Sequence, residues 1–214
     1  PGSAPIPPSL DYGFKDLKDP NAYNPERSKQ LLAEDGWKDT DGDGILDKDG
    51  KPLTFNFVVY NSRAELPLYA EAVQADLKKV GIDMKIKTVD YNLIDKMGQE
   101  GDYDMLISNI VTANTGDPIW FLANYWHTNN NGSNPQNGSG YSNPQVDQLL
   151  DAAQTEFDPA KRRDYAIQIQ QLLMNDGAAL FLGYPKTNII TGSYLKGAVM
   201  YPSDYYWITN KITK

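Results

Sequence analysis

Hydrophobic residues alternate with polar ones in two short stretches of the chain, and a helical pattern separates them. In residues 53–59 and again in 82–86, every second position is apolar, which predicts two strands. Between them, apolar residues recur at helical spacing from Glu65 or Pro67 to Val80, and Gly81 follows as a C-terminal cap. A strand, a helix and a strand within about 35 residues are typical of a right-handed parallel crossover.

Three further helices are predicted where Asn or Asp stands directly before Pro, because such a residue caps the first turn and Pro fits its start. These starts are Asn24-Pro25, Asn143-Pro144 and Asp158-Pro159. In the first of these helices, Leu31 and Leu32 are expected to form a short buried stripe. A fifth helix is expected near 93–99, a third strand over 104–109 and a short apolar strand over 179–184. Strands that alternate with helices predict the α/β class.

Composition and charge exclude several classes of protein. The 214 residues include no cysteine, which excludes disulfide scaffolds, Cys-ligated zinc, iron–sulfur clusters and cysteine nucleophiles. The formal net charge of −8 argues against nucleic acid as a main partner, because phosphate binding needs an excess of Lys and Arg. No apolar run reaches the roughly 18 residues of a membrane span, and no basic-then-apolar signal peptide opens the chain.

An acidic loop over 39–50 is the sharpest local pattern. Its first, third, fifth and ninth positions carry carboxylates and its sixth is Gly44, as in a calcium loop of the EF-hand type. The four candidate metal ligands are Asp39, Asp41, Asp43 and Asp47. The twelfth position, where such loops have a bidentate Glu, is Gly50, and a strand rather than a helix follows. The loop therefore predicts either a structural calcium site or a solvated acidic hairpin.

Enzyme motifs are absent from the sequence. It has no nucleophile elbow, phosphate-binding glycine loop, HExxH or dinucleotide fingerprint. The single histidine, His127, excludes a three-histidine metal site within the chain. A Ser/His/Asp triad and a pair of catalytic carboxylates stay formally open, although no spacing supports either.

A set of segments, taken in order, resembles the C-terminal half of a family 5 extracellular solute-binding protein of the peptide and nickel type. No single segment is diagnostic, and their order and separations carry the resemblance across nearly the whole chain. They are 5–8, 25–32 before Gly36-Trp37, 75–82, 101–104, 116–118, 140–144 with Asp147, and 158–162. The resemblance implies a periplasmic-binding-protein-like lobe (type II, peptide-binding cluster) with a mixed sheet flanked by helices. It assigns 1–185 to the C-terminal lobe and 186–214 to a tail that returns toward a missing N-terminal lobe.

The function implied by this resemblance is binding without catalysis. The chain is expected to be a lobe of the substrate-binding component of an ABC importer for oligopeptides or a similar small polar solute. Its implied partners are the solute, permease subunits and its own N-terminal lobe, and no cofactor is required. The implied location is extracellular or periplasmic, with a lipoprotein anchor in the full-length protein.

The site implied by the resemblance lies in the aromatic and polar stretch that follows the third predicted strand. The expected ligand contacts are Asn109, Asn114, Asp117, Trp120, Trp126 and His127. Peptide-binding relatives carry an Asp that pairs with the peptide's α-amine, often with a Trp three residues earlier. The matching positions here are Asn114 and Val111, and an uncharged Asn weakens that contact.

Alternatives remain open at two of these residues and for the whole chain. Nickel-type relatives use a His after the Asp-Pro segment, so His127 raises the alternative of a nickel- or metal-chelate-binding component. His127 could equally be a wall or surface residue, and Asp117 with Pro118 could equally cap the following helix. A hydrolase and a calcium-stabilised interaction module are the alternatives from other functional classes. If the importer hypothesis holds, this chain alone should bind peptides weakly, with a Kd above roughly 1 mM, because half of the cleft is missing.

Overall fold

The structure is a computed structural model that describes residues 3–113, 116–186, 188–200 and 209–214. Its chain falls into two units that interleave in sequence. One consists of Asn21–Ile110 and Pro135–Ser139 and is called the sheet unit. The other consists of Pro1–Pro20, Val111–Asn134 and Gly140–Lys214 and is called the helical unit.

The sheet unit contains a parallel sheet built on the predicted strand–helix–strand run. Its elements are α1 (Pro25–Glu34), β1 (Asp47–Lys48), β2 (Lys51–Pro52), β3 (Thr54–Tyr60), α2 (Glu65–Lys78), β4 (Asp83–Val89), a 3₁₀ turn (Tyr91–Leu93), α3 (Ile94–Glu100) and β5 (Met105–Leu106). The sheet order is β4-β3-β5, and β3 pairs in parallel with both neighbours. Parallel pairing across α2 is therefore confirmed. Antiparallel pairing between strands is confined to the separate β1–β2 pair in the described part of the chain.

The central strand is buried more fully than its alternating pattern predicts. From Phe57 to Tyr60 four consecutive side chains are buried, so both faces of the strand are covered there. Helix α2 covers β3 and β4 and buries Leu66 and Ala70. A strand with helices on its faces carries a continuous apolar run, and such runs are typical of parallel sheets.

A small hydrophobic cluster joins the acidic loop to the turn between α2 and β4. Leu53, Val80 and Ile82 form its buried centre, and Leu46 packs against them. The Leu46 N–H donates to the carbonyl of Gly81 over 2.8 Å. Gly81 has a φ of +83°, and a Cβ built there would lie 2.6 Å from Leu46 Cγ, so glycine is required both by the backbone and by this close approach.

The helical unit contains α4 (Ile119–Trp126), α5 (Pro144–Thr155) and α6 (Pro159–Asn175), which pack on one another. The predicted caps are confirmed: the Asn143 side chain accepts the N–H groups of Gln145 and Val146, and Asp158 caps α6 in the same way. Asn24 likewise caps α1 in the sheet unit. The buried residues that the three helices share as a core are Ile119, Phe121, Leu122, Trp126, Val146, Leu150, Ala153, Ala166, Ile169, Leu173 and Met174.

Residues 3–18, called the lead-in segment, lie along α6 and are held by side chains of the helical unit. Gln170, which is fully buried, accepts the Ile6 N–H over 3.1 Å and donates to the Tyr12 carbonyl over 2.9 Å. The Tyr184 hydroxyl donates to the Ala4 carbonyl over 2.7 Å. These bonds satisfy backbone groups of a segment that has no regular structure of its own.

Three predictions about elements are wrong in detail. Leu31 is 49% exposed and Leu32 is only partly buried, because α1 contacts the hydrophobic cluster through Leu32 and buries none of its residues fully. The third strand covers only Met105–Leu106. The Asn109 N–H donates to the Tyr60 hydroxyl and not to a backbone carbonyl of a neighbouring strand. Residues 179–184 pair with no described strand; Phe181 packs on Trp126 and the Tyr184 hydroxyl donates to the Ala4 carbonyl.

The predicted fold class is confirmed, with helices flanking a sheet whose three main strands are parallel. The division into a lobe at 1–185 and a tail at 186–214 stays a prediction. Among the described helices, none combines the length and the apolar character that a membrane span requires.

Candidate functional site: a cleft at the carboxyl edge of the parallel sheet

A cleft of about 230 Å³ opens in the sheet unit where its parallel strands end. Tyr60 is the last residue of β3, Tyr91 follows the end of β4 by two positions, and Asn109 follows the end of β5 by three. Ser62 and Arg63, from the loop between β3 and α2, complete the lining. In open α/β sheets, ligands bind in the crevice outside the carboxyl ends of the strands, so the cleft lies where a ligand is expected.

Hydrogen bonds fix the wall of the cleft. The Asn109 N–H donates to the Tyr60 hydroxyl over 3.0 Å, and the Asn109 side-chain amide donates to Glu65 Oε1 over 3.3 Å. The Tyr60 and Tyr91 rings meet edge to face with centroids 5.1 Å apart. Tyr60 is 1% exposed and Tyr91 is 57% exposed, so a buried ring supports an accessible one. The arrangement combines an aromatic wall with few polar groups, as in small-molecule sites.

The predicted site residues are divided between the two units. Asn109 lines the cleft in the sheet unit, whereas Asp117, Trp120, Trp126 and His127 belong to the helical unit. Asn114 lies outside the described residues. The role of all six as ligand contacts stays a prediction.

Asp117 makes structural contacts in the helical unit. Its Oδ1 accepts the Ile119 N–H over 2.9 Å at the start of α4, as the capping alternative predicts. Its Oδ2 pairs with the Arg162 guanidinium, which also donates to the Glu156 carbonyl at the end of α5 over 2.9 Å. Burial, and then the negative charge of Asp117, raise the pKa of Tyr12. Both carboxylate oxygens of Asp117 are thus engaged within the chain.

The two tryptophans of α4 differ in accessibility. Trp120 is 48% exposed, so its ring is available to a ligand. Trp126 is 7% exposed and packs edge to face against Tyr141 and Phe181. Burial and a hydrogen bond to Asp176 raise the pKa of Tyr141 above its ordinary value. Trp126 therefore contributes mainly to the core of the helical unit.

His127 stands at the C-terminal end of α4, between two carboxylates of α5. Its Nδ1 lies 3.6 Å from Asp147 Oδ1 and its Nε2 lies 3.4 Å from Asp151 Oδ1. Asp147 Oδ1 also accepts the Thr128 N–H over 2.9 Å. Both ring nitrogens thus face acceptors of the same unit, an arrangement that favours the wall interpretation over contact with a chelated metal.

The acidic loop brings three of its four predicted ligands together. Asp39, Asp41 and Asp43 each offer a carboxylate oxygen, and these atoms lie within 4.8 Å of one another. Asp47 instead accepts the N–H and the hydroxyl of Thr40 over 3.3 and 3.1 Å. Carboxylate oxygens are the kind of ligand that calcium prefers. The three residues bring one converging oxygen each, however, which is fewer than the six to eight oxygens that calcium prefers. Bound calcium stays a prediction.

The residues that the sequence analysis missed are Tyr60, Ser62, Arg63 and Tyr91. A signal for them exists in the pattern of strands. Tyr60 and the two loop residues follow the first predicted strand directly, and Tyr91 follows the second within five positions. Because the carboxyl ends of parallel strands share one edge, these positions could have been expected to converge.

Comparison with known protein families shows to which family the chain belongs. The family described as bacterial extracellular solute-binding proteins, family 5 middle, matches residues 1–133. The chain belongs to this family. Members of the family are solute-binding proteins that act outside the cytoplasm.

Several members of family 5 resemble the chain over most of its length. The oligopeptide-binding protein AppA of Bacillus subtilis (strain 168) is 31% identical over 207 residues, which cover 92% of this chain and 36% of AppA. A solved structure of AppA with a nonapeptide has a TM-score of 0.83 at 28% identity and covers 99% of this chain and 42% of that chain. NikA from Staphylococcus aureus, solved with Ni(L-His)2, has a TM-score of 0.68 at 26% identity, covering 83% of this chain and 35% of that one. The chain thus spans well under half the length of these relatives.

Proposed function

We propose that this chain is one lobe of the substrate-binding component of an ABC importer, and that its solute is an oligopeptide or a similar small polar molecule. The observation that carries the proposal is the cleft at the carboxyl edge of the sheet, in a chain that belongs to family 5. AppA, which is named for binding oligopeptides, supports a peptide as the solute. The lobe binds and releases its solute and leaves it chemically unchanged.

The partners follow from this role. A second lobe closes over the solute, since a hinged pair of lobes buries a ligand that one lobe leaves open. Permease subunits then receive the solute from the closed form. The full-length protein acts in the periplasm or at the outer surface of the cell, where a lipid anchor on the protein would hold it near the permease.

A metal chelate is the second candidate solute, because NikA is among the relatives and was solved with Ni(L-His)2. The contacts of His127 weigh against it. The imidazole lies between Asp147 and Asp151 within hydrogen-bonding or ion-pairing range, so direct contact with a chelated metal would have to displace them. The cleft, in contrast, offers an amide, hydroxyls and a guanidinium, which suit the polar groups of a peptide.

The test is an NMR titration of the ¹⁵N-labelled 214-residue chain with tetrapeptides, a nonapeptide and Ni(L-His)2. The peptides are expected to shift the amide signals of Tyr60, Tyr91 and Asn109 with a Kd of about 1 mM or weaker, because one lobe encloses little of the ligand. Shifts from the nickel chelate alone would replace the peptide proposal with the metal-chelate alternative. Absence of shifts with every ligand, or turnover of peptide, ester or glycoside substrates, would contradict a solute-binding role.

A further inference from the structure

The sequence contains two Asn-Gly steps, and both belong to an Asn-Gly-Ser tripeptide. They are Asn131-Gly132-Ser133 and Asn137-Gly138-Ser139. At such a step the backbone nitrogen of the glycine can attack the side-chain amide of the asparagine, because glycine has no side chain to hinder the close approach. Since the two tripeptides are identical, a large difference in reactivity between them would come from the fold.

The first step lies in an exposed turn of the helical unit. Asn131 and Gly132 are both exposed, and their φ values are +53° and +83°. The Ser133 N–H closes the turn by donating to the Asn130 carbonyl over 3.1 Å. Neither the Asn131 side-chain amide nor the Gly132 N–H makes a hydrogen bond to any described residue. The two groups that would react are therefore exposed to water and unbonded within the described chain.

The second step is buried and hydrogen-bonded in the sheet unit. Asn137 is 4% exposed, and its Oδ1 accepts the Ser139 hydroxyl over 2.9 Å. The Gly138 N–H donates to the Gln136 carbonyl over 2.9 Å, and the Gly138 carbonyl accepts the Tyr103 hydroxyl. Before the Gly138 nitrogen can reach the Asn137 side chain, these bonds must break and the segment must open locally, which costs free energy.

From this contrast we propose that Asn131 is a site of spontaneous deamidation and that the fold protects Asn137 from the same reaction. The Gly132 nitrogen attacks Asn131 Cγ, so that a new N–C bond forms and the bond from Cγ to Nδ2 breaks. The proton of the Gly132 N–H leaves with the Nδ2 amino group as ammonia, and a succinimide ring remains. Water, the co-reactant, then opens the ring at either carbonyl and gives aspartate or isoaspartate.

The products differ from asparagine in charge and, for isoaspartate, in the backbone. Each event adds one negative charge to a chain whose net charge is −8. Isoaspartate also places one additional carbon in the main chain, inside the turn that the Ser133 N–H closes. The same loop is attached to the end of α4 by the Asn134 side-chain amide, which donates to the His127 carbonyl over 2.6 Å. Deamidation therefore changes a loop that is tied to the end of α4.

The experiment incubates the 214-residue chain at mildly alkaline pH, once folded and once unfolded in guanidinium chloride, and follows both asparagines by peptide mass spectrometry. Replacement of an amide by an acid raises the mass by about 1 Da, and fragment ions assign this increase to Asn131 or to Asn137. The control variant is Asn131→Gly, because glycine suits the positive φ at this position and removes the reactive amide.

In the folded chain, Asn131 is expected to react at least about tenfold faster than Asn137, because Asn137 reacts only after local opening. In the unfolded chain the two rates should become similar, since both residues lie in Asn-Gly-Ser. In Asn131→Gly, the mass increase should be confined to Asn137 and should be fast only after unfolding. Equal rates in the folded chain, a faster reaction at Asn137, or a difference of the same size after unfolding would overturn the inference. A folded chain that gains no acid at Asn131 would overturn it as well.

Discussion

Replacing Gln170 by Leu tests how the lead-in segment is held on α6. Gln170 is fully buried, and its side chain connects two backbone groups that are distant in sequence. It accepts the Ile6 N–H over 3.1 Å and donates to the Tyr12 carbonyl over 2.9 Å. Leu has a similar volume, so the substitution removes the hydrogen bonds without leaving a large cavity. The expected loss of stability therefore comes from backbone groups that are left without hydrogen-bond partners.

The magnitude follows from the burial of each group. Ile6 is 1% exposed, so its orphaned N–H cannot bind water and costs about 1–3 kcal/mol. The Tyr12 carbonyl belongs to a half-buried residue, so its lost bond costs less, about 0.5–1.5 kcal/mol. The additional bond from Gln170 to the Ala166 carbonyl is local to the helix and adds little. Together, Gln170→Leu should lower the free energy of unfolding by about 1.5–4.5 kcal/mol.

Urea unfolding followed by circular dichroism measures this loss, and hydrogen exchange at the Ile6 amide locates it. The control is Gln168→Leu on an exposed position of the same helix, which is expected to change stability by less than about 0.5 kcal/mol. Exchange at Ile6 should be much faster in Gln170→Leu than in the control. A Gln170→Leu variant as stable as the control, with its Ile6 amide still protected, would refute this account of how the lead-in segment is held.

Three further predictions concern other contacts. Asp117→Ala should destabilise the chain to urea by about 1–3 kcal/mol, because it leaves the half-buried Arg162 guanidinium without its carboxylate; a change below about 0.5 kcal/mol would contradict that role. The N–H groups of Asp158 and Phe157 lower the pKa of Glu156, so its carboxylate stabilises the fold above the unfolded-state pKa and this contribution is lost as the pH falls through the folded-state pKa. Glu156→Gln should therefore be less stable than the wild type at pH 7, by a gap that narrows as the pH is lowered toward 3, and a gap of equal size at both pH values would contradict the assignment. Calorimetry with CaCl₂ should give a Kd of about 1 mM that Asp41→Asn weakens, and no heat at millimolar calcium would exclude the loop as a calcium site.

Local signals in the sequence gave reliable starts and ends of helices. Asn143 and Asp158 cap their helices through their own side chains, so the interaction that fixes each start lies within three residues of it. The end of α2 was equally readable, because the left-handed conformation at Gly81 suits glycine. The strand at 179–184 failed for the opposite reason: an apolar run becomes a strand only if a partner strand is available, and no local signal reports that.

The candidate site was predictable only in part. Asn109 was identified through the family resemblance and does line the cleft. Arg63 and Tyr91 were not identified, because neither residue carries a motif of its own and only their places after the predicted strands mark them. Their significance depends on the parallel register that brings the ends of β3 and β4 to one edge.

The sequence by itself determined the α/β class, the caps of the main helices and the relationship to family 5, because these depend on patterns and on residues close together in the chain. Tertiary structure alone decided which charged side chains form ion pairs within the chain and which do not. Asp117 is engaged by Arg162 from 45 positions away, while Arg63 meets no described carboxylate. Pairing between distant residues depends on how elements pack, and a linear pattern of residue types carries no record of that packing.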